Sequence, residues 1–257
     1  MAPKLPFMSA LKLTLRKIIM RSLTSLIAAG ALGLAFAASA MAIPVTINLA
    51  PNTAGYVSTF NYTSTEANVA VTGWSNKSNG NKAIAQDQIA RWSGSGIGVE
   101  NQNSPQHAVD NSGGDYDALL FSFSKIVDVS GLGIGWYQTD ADVSVLAYTG
   151  ATPFSGNLNG FGSNWNALLG SGWSVVGNYN RNGTGSFAIN AADIQSQYWL
   201  VGAYNSTFGT GSGLSAKNDY FKLKSITFEA VKVPEPGTLL LLAMGMFGLV
   251  AARRRAA

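Results

Sequence analysis

The sequence predicts an all-β protein: an antiparallel β-sandwich of jelly-roll type, flanked by an N-terminal signal helix and a C-terminal hydrophobic helix. Three observations lead there. Apolar residues recur with period two in many short runs of the central chain, the mark of strands with one buried face. Glycine occurs 29 times, and Gly/Asn/Ser clusters separate the runs, as tight turns between antiparallel strands require. Charged residues make up 12% of the chain against 47% hydrophobic, too few for long solvent-facing helices.

Residues 1–42 read as a secretory signal peptide. Lys12, Arg16, Lys17 and Arg21 precede an apolar run over residues 23–37, and Ala40 and Ala42 supply the small side chains that a signal peptidase selects, which places cleavage after Ala42. The run is too short for a comfortable membrane span.

Residues 43–232 form the presumed mature domain. Alternation marks strands at residues 45–49, 56–62, 69–74, 119–123, 132–137, 143–148, 173–178, 186–189, 198–204 and 221–231. Only residues 83–92 and 164–169 suggest a helical turn or two, and neither is long enough to cover a parallel sheet. No cysteine is present, so disulfides, thiolate metal sites and a cysteine nucleophile are excluded.

Residues 233–257 have three parts. Val233-Pro234-Glu235-Pro236-Gly237 comes first, then an uncharged apolar stretch over residues 239–252, then Arg253, Arg254 and Arg255. Two prolines flanking a carboxylate hold the backbone extended, because neither has an N–H to donate and each pushes its predecessor out of the helical region. The apolar stretch is a short transmembrane helix, and the arginines hold its end on the cytoplasmic side.

This tail resembles the PEP-CTERM sorting domain of exosortase-dependent bacterial surface proteins. The resemblance implies transient anchoring in the inner membrane of a Gram-negative bacterium and cleavage near Pro234-Glu235-Pro236 by an exosortase-type membrane protease. Delivery to the outer surface, or to a polysaccharide-rich matrix, would follow. Residues 107–150 and 218–225 look like segments of such surface proteins as a group, which implies a β-sandwich ectodomain and brings no catalytic residues.

The basic pI, about 9.3, comes from the two ends. Residues 43–233 carry nine Lys/Arg against twelve Asp/Glu, a net charge of −3, so the domain has no electrostatic drive toward nucleic acid.

The densest polar run is His107-Ala-Val-Asp-Asn-Ser-Gly-Gly-Asp-Tyr-Asp117. Asp110, Asn111, Asp115 and Asp117 can supply the oxygen ligands Ca²⁺ takes, and the paired glycines permit the tight loop. The same residues also describe a hairpin turn capped by side chains, and no cofactor is then needed. Asp140 and Asp142 share a face if extended, which would suit a cation or a glycosidase-type acid/base pair, with solvated loop charges as the plainer reading.

His107 is the single histidine, and no Gly-x-Ser-x-Gly elbow accompanies it, so no enzyme is expected. Trp136, Trp173 and Trp199 alternate with apolar neighbours as core residues do. Trp165, set among Gly, Ser and Asn, is the ring expected to be exposed for stacking on a glycan. The chain thus reads as a structural or adhesive surface protein, with a carbohydrate-binding module or a secreted glycan hydrolase as alternatives.

Overall fold

A computed structural model describes residues 43–76, 83–100, 107–162, 164–232, 244–246, 248–249 and 252–255. The chain divides into two units, Ala42–Val231 and a second made of Met1–Met41 with Lys232–Ala257. The expected signal segment and the Val233–Gly237 motif lie outside the described residues. Of the expected C-terminal helix, residues 244–246, 248–249 and 252–255 are helical and exposed. Among the described residues, no helix is long and apolar enough to cross a membrane.

The first unit is all-β, as its alternating pattern predicts. Its strands are β1 Val45–Asn48, β2 Gly55–Val57, β3 Phe60–Tyr62, β4 Val69–Asn76, β5 Ile84–Trp92, β6 Gly96–Glu100 and β7 Val109–Asp110. They continue with β8 Asp117–Tyr137, β9 Val143–Tyr148, β10 Trp173–Tyr179, β11 Gly185–Ala188, β12 Gln195–Ala203 and β13 Tyr220–Ala230. Every pairing between them is antiparallel.

Two separate jelly-roll sheets were expected, but the strands form one connected network ordered β1-β13-β6-β5-β4-β8-β12-β9-β10. The reason is the length of β8, 21 residues where the sequence suggests two short strands. Its first half lies between β4, with Val71 opposite Phe121, and β12, with Leu200 opposite Leu120. Its second half pairs with β13, Ile226 opposite Leu132, and with β11, Phe187 opposite Leu132. The contact of β13 with β8 closes a ring through β6, β5 and β4, which removes the edges of those strands.

Of residues 83–92, expected to form a helical turn, Ile84–Trp92 are strand β5. Gln86 and Gln88 are good helix formers, but hydrogen bonding to β4 on one side and β6 on the other outweighs so weak a local preference. The strand β6 was unmarked because Gly96 and Gly98 interrupt its alternation. Both glycines are required: a Cβ on Gly96, which also sits at φ +118°, would collide with the Leu223 carbonyl, and one on Gly98 with the His107 carbonyl.

The β4–β8–β12–β9 region buries both faces. Val71, Leu119, Phe121, Phe123, Val145, Trp199 and Val201 point into the main core with β13 residues Phe221, Leu223 and Phe228. Trp74, Ala118, Leu120, Leu146 and Leu200 point the other way, into a second cluster with Leu158, Trp165, Leu168, Trp173 and Phe208. This explains the unbroken apolar run at residues 118–121: a strand covered on both sides loses its polar alternation. Each large side chain so buried contributes about 1.5–3 kcal/mol.

Candidate functional site

The polar run from residue 107 to 117 leads into the barrel and not out to solvent. Asp110 ends β7, residues 112–114 make a single 3₁₀ turn, and Asp117 begins β8. Ser112 N–H donates to Asp110 Oδ1 at 3.0 Å and Asp115 N–H to the Ser112 carbonyl at 2.9 Å, a side-chain-capped turn, but β7 pairs with β13 and not with β8 as a hairpin would. Yet Asp110, Asn111, Asp115 and Asp117 are each at most 1% exposed, which is rare for turn carboxylates.

Asn111 ties this turn to the far end of the chain. Its Nδ2 donates to the Tyr204 carbonyl at 2.8 Å and to Asp219 Oδ2 at 2.5 Å, and its Oδ1 accepts the Asp219 N–H at 3.0 Å. The loop carrying Asp140 and Asp142 arrives at the same place. Asp142 N–H donates to Asp219 Oδ1 at 2.8 Å, and an isolated parallel bridge joins Asp140 to Asp219.

Asp140, Asp142 and Asp219 therefore converge, with one oxygen from each lying within 4.8 Å of the others. Asp142 and Asp219 are wholly buried, so the expectation of solvated loop charges is overturned for Asp142. The reason is tertiary: Arg181 N–H and Ser215 N–H bond the Asp142 carboxylate at 2.8 and 2.9 Å, replacing the water it loses. Ser215 Oγ donates to Asp140 Oδ2 at 2.8 Å, and Asn218 Nδ2 lies 3.4 Å from the same oxygen. The backbone is strained on either side, with Thr139 at φ 64° and Lys217 at φ 76°, a cost that only well-packed surroundings sustain.

Burial shapes the electrostatics. It pushes the Asp219 carboxyl up to about 8; the Asp142 N–H opposes the rise and the neighbouring Asp142 charge adds to it. Burial also raises Asp142, against the N–H groups of Ser215 and Arg181. Asp110 is pushed up to about 6, again by burial. Hydrogen bonds to Ser112 and to the Asp117 side chain oppose that rise.

Such an arrangement can do two things: share protons among buried carboxylates, or bind a hard cation, since oxygens within 4.8 Å of one another fit a shell of ligands 2.3–2.6 Å from its centre. Sequence reasoning placed Asp110, Asn111, Asp115 and Asp117 together; the converging trio instead draws Asp219 from just before β13. Asn218-Asp219 preceding a strand was the available signal, and it resembles any strand-initiating turn.

Trp165 is 4% exposed, so it is not the expected surface ring. Its Nε1 donates to Asn76 Oδ1 at 2.8 Å and its ring fills the second core cluster. His107 is half-buried, with its ring 4.4 Å from that of Trp92.

Comparison with known proteins bears on the other end of the chain. No curated protein matches it in sequence. Residues 232–255 match a sorting signal. The chain carries a PEP-CTERM protein-sorting motif. A PEP-CTERM motif is a signal for exosortase-dependent export and surface association in bacteria, and the exosortase that processes it is a membrane protein. In this PEP-CTERM tail Arg253, Arg254 and Arg255 are helical and exposed.

Proposed function

We propose that this protein is a structural or adhesive component of the outer surface or polysaccharide-rich biofilm matrix of a Gram-negative bacterium. In this reading a signal peptidase cuts after Ala42, the tail holds the chain briefly in the inner membrane, and an exosortase-type protease cuts near Pro234-Glu235-Pro236. The single observation that supports it is the PEP-CTERM match over residues 232–255. The β unit suits the role, since all its core residues lie between Ile47 and Ala230, clear of both segments to be removed.

Intact-mass spectrometry of protein recovered from the cell surface and medium tests this. The expected mass corresponds to a chain starting at Ile43 and ending close to Val233, together with any attached group. In cells lacking the protease, or in a Glu235→Ala variant, the tail should remain. A wild-type chain still carrying residues 239–257 would overturn the proposal.

A second reading is that the buried carboxylates hold a divalent cation such as Ca²⁺. It is favoured by the convergence of Asp140, Asp142 and Asp219. Adding millimolar Ca²⁺ to EDTA-treated protein should raise the melting temperature by about 5 °C or more, as ligand linkage predicts for site saturation. Asp142→Asn should abolish the rise; an unchanged melting temperature in wild type would sink this reading. A glycan hydrolase using these groups is disfavoured, because the full burial of Asp142 and Asp219 denies a sugar access to them.

A further inference from the structure

The 24 residues between β9 and β10 form the longest connection within the β unit among the described residues. Two short 3₁₀ helices, Asn159–Phe161 and Trp165–Ser171, give it structure of its own, and surface connections held by a rigid scaffold commonly carry function. Thr149 N–H donates to the Gly172 carbonyl at 2.8 Å and closes its ends. Leu158, Trp165 and Leu168 pin its inner side to the second core cluster. The outer side is thereby held in shape, and it encloses an open groove of about 750 Å³, within the range of small-molecule sites.

The groove has a particular chemistry. Tyr148, Phe154 and Phe161 pack one side of their half-exposed rings against the second core cluster and leave the other side in the groove, with Tyr148 and Phe154 centred 5.2 Å apart. Thr152, Ser155 and Asn157 add hydroxyl and amide groups between them, and four glycines bare the backbone. Among the described residues, no Asp, Glu, Lys, Arg or His lines it. A phosphate, a uronate or a cationic peptide would find no counter-charge among these residues. A lipid chain would meet as many polar groups as apolar ones. A neutral sugar meets both needs, with C–H faces to lie on rings and hydroxyls to bond amides and hydroxyls.

We infer that the Thr149–Gly172 groove binds a neutral polysaccharide, gripping internal sugar units of a chain that passes along its open length. This rests on the reading of the protein as a surface or matrix component and supplies the contact by which it is retained. Because Tyr148 ends β9 and Phe154 and Phe161 pack against the second core cluster, the platform is formed before the glycan arrives and little ordering cost accompanies binding.

The test is affinity electrophoresis of the full chain, in a detergent without sugar groups, through gels containing neutral glucan, galactan, mannan or xylan, with alginate as the charged control. At least one neutral polymer should retard it, and alginate should not. Phe161→Ala should weaken retardation at least tenfold. Gly160→Trp should do the same by filling the groove, because a Cβ there meets nothing within 4 Å and the fold is not disturbed. Unchanged melting temperatures would show that both variants fold. Lack of retardation by every neutral polymer, retardation by alginate alone, or equal retardation of both variants would overturn the inference. A chain that binds glycan yet keeps its tail on cells would overturn the export proposal and leave the groove standing; a correctly trimmed chain that binds none would do the reverse.

Discussion

Asn111 shows how much one residue does here. It satisfies the Tyr204 carbonyl, the Asp219 carboxyl and the Asp219 N–H at once, across 108 residues of sequence in the last two cases. Asn111→Ala should cost about 2–4 kcal/mol, because it leaves several buried groups unpaired, and urea denaturation would measure it. Titration supplies a second prediction at this scale. Asp219 binds its proton up to about pH 8 when folded, against 3.8 as the ordinary value, and Asp110 up to about 6. The folded state thus holds extra protons between those limits, and in EDTA stability should fall as pH rises from about 4 to 8. Lys222 acts with the opposite sign. It is 2% exposed, its ammonium lies 3.6 Å from the centre of the Trp136 ring, and burial lowers it to about 8 from 10.5. The unfolded state then holds the extra proton, and stability should recover between about pH 8 and 10.5. Melting temperature against pH should pass through a minimum near 8, and Lys222→Met should remove the alkaline recovery.

At the scale of elements, closure of the ring depends on how closely β6 can approach its neighbours. Leu223 pairs with Ile97 where Gly96 leaves room for the Leu223 carbonyl. Gly96→Ala, which adds strain at positive φ to that collision, should destabilise by at least about 2 kcal/mol, read as a lower urea midpoint at unchanged slope. The 149–172 loop depends likewise on Trp165. Truncation to alanine should cost about 3–5 kcal/mol and loosen the groove, detectable as faster amide exchange confined to that loop. These elements also divide by legibility. The strands β4, β9 and β12 were plain in the sequence because each alternates cleanly or runs apolar over its own length. The strand β5 was not, because Gln86, Asp87 and Gln88 are polar and its pairing partners are what make it a strand. The joining of two predicted strands into β8 was equally hidden: exposed Ser124, Lys125 and Ile126 read as a break, yet the backbone continues through them.

At the scale of the whole molecule, the β unit carries its own core. Both core clusters lie between Ile47 and Ala230, so removing residues 233–257 should leave the melting temperature of the β unit within about 1 °C, a shift of well under 1 kcal/mol. A large loss of stability on truncation would contradict this. What the sequence determined by itself was the β class and the sorting tail, because each is written in consecutive residues: alternation within a strand, and proline, apolar and arginine blocks in a fixed order. Only the tertiary structure decided the burial of Asp142 and Asp219, the withdrawal of Trp165 into the core and the shape of the 149–172 groove. Those depend on which distant residues meet, and a side chain's neighbours across the chain leave no mark on the residues beside it.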